Sequence, residues 1–387
     1  MKRIGILTFH RSINYGAYMQ CLSLSHLITQ RFPECKVEVI DYESKIMHDI
    51  YVPKFNLACI KHPKLYPTTK KKYSAFKSSL KYLPLSDKYF CFDGIDKQFE
   101  KYITDNYDVV IVGSDAVWNW VKRGFPNHYL LGLDSDIKKL SYAASAYGME
   151  PKYVGEKEKE YFADSLKNFT FIGYRDDYTK DLVKSVYEDA QPQFTCDPTV
   201  FLDCDYVLSL LGHTKDSFKK HIYNKYSIPQ DKTVIGVMET SDALVKELKK
   251  KYGKSAYIIC VYNYLPSADK FISDLNPLEW SQIFSIFDIT VTNFFHGTLL
   301  SLRNNTPLVC IDRTSFSKTN EGKIHDVLRR MNLLDCYFTG ENALGEIAEK
   351  TESVLKHKKE YKEKIAQGID TLGESKENFI KALKEVI

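Results

Sequence analysis

Residues 4–33, IGILTFHRSINYGAYMQCLSLSHLITQRFP, carry the pattern that decides the fold. The apolar run at 4–9 is short and reads as a strand buried on both faces. A polar loop at 10–16 follows it. The spacing of Leu22, Leu24, Leu27 and Ile28 then predicts a helix that ends before Pro33. Residues 37–40 make the next strand, so strand and helix alternate as they do in parallel α/β units. Further apolar runs at 108–112, 140–144 and 169–174, each stopped by a small or polar residue, extend this into one open, doubly wound sheet.

Past residue 205 the pattern restarts, with strands expected at 233–238, 256–262, 289–292 and 308–311 and helices near 242–251, 277–287 and 296–304. Residues 346–387 are rich in Lys and Glu, lack proline, and read as an amphipathic helix or pair of helices with a solvated face. The expected organisation is an N-terminal α/β domain at 1–205, a second at 206–344 and a helical segment at 345–387. A chain of 387 residues, 44% hydrophobic and 27% charged, is long enough for two such cores and excludes disordered and collagen-like classes. Its net charge of +4 gives no case for nucleic acid. Nine scattered cysteines with no Cys-x-x-Cys pair read as reduced thiols. With no signal peptide and no membrane span expected, the protein reads as cytoplasmic.

One block is lopsided. Residues 51–92 carry Lys54, Lys61, Lys64, Lys70, Lys71, Lys72, Lys77, Lys81 and Lys88 among aromatic residues, with only Asp87 opposed to them. Such a basic insertion either is a solvated surface or contacts an anionic partner, a membrane face or a pyrophosphate-linked glycan.

In open α/β sheets ligands bind beyond the carboxyl ends of the strands, beside helix N-termini that offer N–H groups to anions. The first strand leads into Asn14-Tyr15-Gly16, and 108–112 leads into Gly113-Ser114-Asp115. Residues 169–174 end at Arg175, whose guanidinium suits a carboxylate or phosphate, or else pairs with Asp176 or Asp177 at a helix start. Residues 289–292 run into Asn293-Phe294-Phe295-His296-Gly297-Thr298, which puts His296 at a helix N-terminus. There the dipole lowers an imidazole pKa and favours anions; a histidine satisfied by its own loop is the alternative. Asp134-Ser135-Asp136 reads as a turn, no Gly-x-Ser-x-Gly elbow occurs, and His128, His213 and His221 have no zinc spacing, so neither a metal nor a cofactor is expected.

Taken in order, Asn14-Tyr15-Gly16, Gly113-Ser114-Asp115-Ala116-Val117-Trp118-Asn119, Tyr142-Ala143-Ala144-Ser145, Arg175-Asp176, Asp197-Pro198-Thr199 and Phe295-His296-Gly297-Thr298 resemble the polysaccharide pyruvyl transferase family over residues 4–312. The resemblance implies a GT-B-like fold, two Rossmann-like domains facing a cleft with a C-terminal helix returning to the first. It implies transfer of a pyruvyl group from phosphoenolpyruvate to a sugar as a ketal, on a glycan or lipid-linked oligosaccharide acceptor. By motif, Arg175 takes the position of the donor-binding arginine and His296 that of the active-site histidine. The Asn14–Gly16 loop and Asp115 would line the acceptor side. Where relatives carry an arginine two residues before the histidine, this chain has Phe294. Arg303 lies about 10 Å along the helix from His296, and Arg313 is better placed to supply the second cation. A nucleotide-sugar glycosyltransferase and a non-catalytic glycan-binding partner are the competing expectations.

Overall fold

A computed structural model describes residues 1–53, 65–122, 124–149, 154–312, 322–340 and 343–387. The chain forms two compact units, Met1–Pro198 with Glu374–Ile387, and Thr199–Gly373.

In the first unit the main strands are β1 (Arg3–Leu7), β2 (Lys36–Val39), β5 (Val109–Asp115), β6 (Lys138–Ala144), β7 (Phe169–Tyr174) and β8 (Gln193–Phe194). They lie in the order β2-β1-β5-β6-β7-β8, all parallel. Two short strands, β3 (Tyr42–Glu43) and β4 (Phe90–Cys91), pair with each other beside this sheet. Successive residues along β5 are buried, so both faces are covered and an unbroken apolar run is what the position demands. The helix Tyr15–Arg31 begins where Asn14 caps it and stops at Phe32, ahead of Pro33.

The second unit repeats the architecture with β9 (Thr233–Met238), β10 (Ala256–Val261), β11 (Lys270–Ile272), β12 (Ile289–Thr292), β13 (Leu308–Asp312) and β14 (Tyr337–Thr339). Their order is β11-β10-β9-β12-β13-β14, again all parallel. The first unit ends at Pro198 and not at 205. Asp197 and the Pro198 carbonyl are bound to Gln20 and Ser23, whereas the Leu202 carbonyl accepts from Arg303 and Asp203 caps the helix Cys204–Leu210. The last two helices, Leu344–Lys356 and Lys358–Lys384, likewise do not form a separate segment. Lys251–Glu352 at 2.9 Å and Lys358–Asp288 at 2.5 Å tie their start to the second unit. At the other end Phe379 packs edge-on against Tyr142, 4.7 Å away in the first unit, and the Ser375 hydroxyl accepts from the Cys196 N–H. The long C-terminal helix therefore returns to the first unit.

Candidate functional site

Strand order reverses between β1 and β5 in the first unit and between β9 and β12 in the second, and the loops beyond those strand ends are where a ligand crevice forms. Beyond β1, the Asn14 side chain accepts from the Gly16 and Ala17 N–H groups at 3.0 and 3.4 Å, so its oxygen caps the helix. Tyr15 stacks on Phe76, with the Lys72 ammonium 5.6 Å from its ring, and Gly16 is buried. Beyond β5, Gly113 has φ 116°, and a Cβ there would lie 2.1 Å from the Tyr142 carbonyl oxygen, so only glycine fits. Ser114 is buried; its carbonyl accepts from Thr8, and its hydroxyl has no hydrogen-bond partner among the described residues. Asp115 sits at φ 81°, a conformation that side chains other than glycine adopt at a cost and that concentrates at functional sites.

The guanidinium of Arg175, which follows β7, is buried between two carboxylates, Asp197 at 3.1 Å and Asp115 at 3.5 Å. Burial opposes its charge, but the fields of Asp115, Asp197 and Asp176 outweigh burial and raise its pKa. Asp176 itself caps the helix Asp177–Val186, accepting from the Thr179 N–H at 3.0 Å and hydroxyl at 2.7 Å, and also accepts from the Ser145 hydroxyl at 2.5 Å. A carboxylate lattice thus surrounds the side chain expected to grip a doubly negative donor.

In the second unit β12 runs through Asn293 and Phe294 into the helix Phe295–Arg303, whose N-terminus no side chain among the described residues caps. The Asn293 N–H donates to the Met238 carbonyl at 3.2 Å and the Phe294 N–H to the Thr292 hydroxyl at 3.0 Å, which fixes the turn on β9 and β12. His296, in the first helical turn, is buried at 6% exposure. A Cβ on Gly297 would come within 2.8 Å of Met238 Sδ and Thr292 Oγ1, so glycine lets the helix lie close against the strands. Thr298 is directed inward: its hydroxyl donates to the Phe294 carbonyl at 3.3 Å and lies 3.4 Å from Cys310 Sγ. Arg303 is occupied by the Leu202 carbonyl, and Arg313 lies outside the described residues. A cation that sequence reasoning missed is Lys323, whose ammonium is 5.8 Å from the Phe295 ring; that ring stands edge-on to His296 at 5.3 Å.

Other expected positions are structural. His128 accepts from the Asp96 N–H at 2.9 Å, and burial lowers its pKa to about 4. The rings of His213, just before the helix Lys215–Tyr226, and His221, within it, lie 5.1 Å apart at a tilt of 37°. Among the described residues one group could offer three metal ligands, Glu43, His48 and Cys91, but Glu43 already binds His48 at 3.1 Å and accepts from the Tyr89 hydroxyl at 2.6 Å. Of the basic insertion, Lys70 and Lys71 are exposed and Lys54, Lys61 and Lys64 lie outside the described residues. The eight described cysteines are free thiols, and no described helix is long and apolar enough to cross a membrane.

A model of the family described as polysaccharide pyruvyl transferase matches residues 14–315. No curated protein matches the chain. Among solved structures, UDP-GlcNAc 2-epimerase from Neisseria meningitidis, bound to UDP-GlcNAc, superposes with a TM-score of 0.60 at 11% identity, covering 100% of both chains. MnaA of S. aureus with UDP gives 0.53 at 12% identity over 100% of this chain and 98% of that one. The UDP-GlcNAc 2-epimerase of Methanocaldococcus jannaschii gives 0.51 at 12% identity over 92% of each. At these identities the likeness is one of fold, and it makes the fold GT-B-like.

Proposed function

The chain belongs to the polysaccharide pyruvyl transferase family, and on that footing we propose that it moves a pyruvyl group from phosphoenolpyruvate onto two hydroxyls of a sugar in a surface polysaccharide or its lipid-linked precursor. The C3 methylene of the donor takes a proton, a sugar hydroxyl adds to C2 and releases its own proton, and the phosphate leaves with the C–O electron pair. The second hydroxyl then adds to C2, closing the cyclic ketal, and its proton passes to the departed phosphate. The chemistry needs an acid that can give and regain a proton, and N–H groups or cations for the departing phosphate.

The observation that carries this reading is His296 in the first turn of an uncapped helix beside the reversal of strand order. The helix N-terminus favours the anion, and an imidazole held there can give a proton as the imidazolium and take one back as the neutral ring. His296 is assigned as the acid at C3 or at the leaving phosphate, with Asn293 and Gly297 on the same turn and Lys323, on a later helix, set against the adjoining Phe295 ring. Arg175 is assigned the positioning of Asp115.

The test is phosphate release from phosphoenolpyruvate in the presence of glycoside acceptors. His296→Gln should reduce turnover by about 10²–10⁴-fold. Near-normal turnover in that variant would take the histidine out of the mechanism. A thermal shift with UDP but none with phosphoenolpyruvate would favour a nucleotide-sugar transferase, a reading kept open because the similarly folded Neisseria meningitidis epimerase is bound to UDP-GlcNAc.

A further inference from the structure

At the carboxyl edge of the second sheet a pair of aromatic rings stands where a cation was expected. The Phe294 ring stacks on Tyr262 with centroids 5.0 Å apart and planes 30° apart, and it meets the edge of Trp280 at 6.4 Å. The His296 ring is 6.0 Å from Phe294. Tyr262 follows β10 directly and remains 47% exposed, so a half-open ring lies one step from the candidate acid.

The pair is held in place from the backbone. Tyr262 has φ 86° and Glu239, beyond β9, has φ 56°, both costly for side chains other than glycine. Asn263 accepts from the Glu239 N–H at 2.9 Å and donates to the Thr240 carbonyl at 3.4 Å, fastening the loop after β10 to the loop after β9. An exposed tyrosine kept in a strained conformation by its neighbours is preorganised, and preorganisation is useful where a ligand must be met in a fixed pose.

From this geometry we infer that Tyr262 and Phe294 form the stacking surface for the acceptor, receiving the C–H face of a neutral pyranose ring and presenting its hydroxyls toward His296. This rests on the pyruvyl transferase reading. The negative face of an aromatic ring disfavours a carboxylate or phosphate, so the surface selects against the donor and for an uncharged sugar. Phe294, in place of a cation, thus shifts this part of the edge from anion binding to sugar binding.

The experiment is ligand-observed saturation-transfer NMR with a panel of methyl pyranosides of glucose, galactose and mannose, run beside the phosphate-release assay. The wild type and Tyr262→Phe should transfer saturation to the ring C–H protons of at least one glycoside. Tyr262→Ala and Phe294→Leu should weaken that glycoside about 5–10-fold and raise the acceptor KM by the same factor, while the phosphoenolpyruvate KM holds. Phe294→Arg should lose the glycoside as well. A glycoside response that ignores Tyr262, or is missing across the panel, overturns the inference, as does displacement of the glycoside by UMP with saturation on the uracil protons. If Tyr262-dependent glycoside contact is found but phosphoenolpyruvate releases no phosphate, the sugar surface stands and pyruvyl transfer falls.

Discussion

At the carboxyl edge of the first sheet Arg175 lies between Asp115 and Asp197, Gln20 donates to Asp197, and Ser145 and Thr179 donate to Asp176, so ionic and polar groups bind one another. At the same edge of the second sheet, Tyr262, Phe294 and Trp280 surround a helix start that carries a histidine. Two sheets of the same class thus end in different materials. The first edge uses its charge to hold its own loops; the second is built of aromatic rings packed around a buried imidazole. A charged side chain at a strand end is accordingly a weak pointer to a substrate until its partners are known.

The largest expected effect breaks the first edge. Arg175→Ala leaves two carboxylates facing each other with no cation, and removing one partner of a buried ion pair costs about 3–5 kcal/mol. Urea denaturation of the variant should lose about that much from the transition of the first unit, whereas His296→Gln should lose turnover with its midpoint nearly kept. An Arg175→Ala protein with the wild-type midpoint and no phosphate release would make this arginine a substrate clamp and undo the contrast.

Two buried histidines sharpen it further. His296 stands at a helix start beside aromatic rings, while His128 accepts the Asp96 N–H and has its pKa lowered by burial from 6.5 to about 4. A depressed folded-state pKa means that the unfolded chain binds the extra proton first. Stability from His128 is therefore complete above pH 6.5, declines as the pH falls toward 4, and levels off below that. Between pH 8 and pH 5 the loss should be about 2 kcal/mol. His128→Gln should flatten that part of the stability curve; an unaltered slope would show that another group is responsible.

The strands were legible because strands buried on both faces are continuous apolar runs, and 169–174, 233–238 and 289–292 are found at the residues where their composition places them. The short edge strands Gln193–Phe194, Lys270–Ile272 and Tyr337–Thr339 carry too few apolar residues to stand out. Charged helices such as Glu156–Lys167 are likewise hidden by their polar faces. In the site, the helix start at His296 was legible from local punctuation, a strand followed by a small residue and an apolar helical run. The Tyr262–Phe294 pair was not, because residues 32 apart meet only once β10, β9 and β12 lie in that order. For the same reason the ion-pair alternative for Arg175 named its sequence neighbours Asp176 and Asp177, while its carboxylate partners are Asp115 at the end of β5 and Asp197 beyond β8. Lys323 approaches Phe295 from a helix separated from it by a whole strand.

The smallest effect concerns the two helix starts. The helix Tyr15–Arg31 is capped by Asn14, and the helix Phe295–Arg303 has Phe294 at that position and no side-chain cap. If the first is an architectural terminus, Asn14→Ala should cost about 1 kcal/mol in the first unit's denaturation transition and leave the phosphoenolpyruvate KM untouched. Asn14→Asp should recover most of that stability, since its carboxylate caps the same N–H groups and suits the positive end of the dipole. A bound anion would invert this result: the aspartate would then keep the fold and repel the donor. A raised phosphoenolpyruvate KM in Asn14→Asp, with full stability, would place the donor at the first edge and reverse the assignment of the two helix starts.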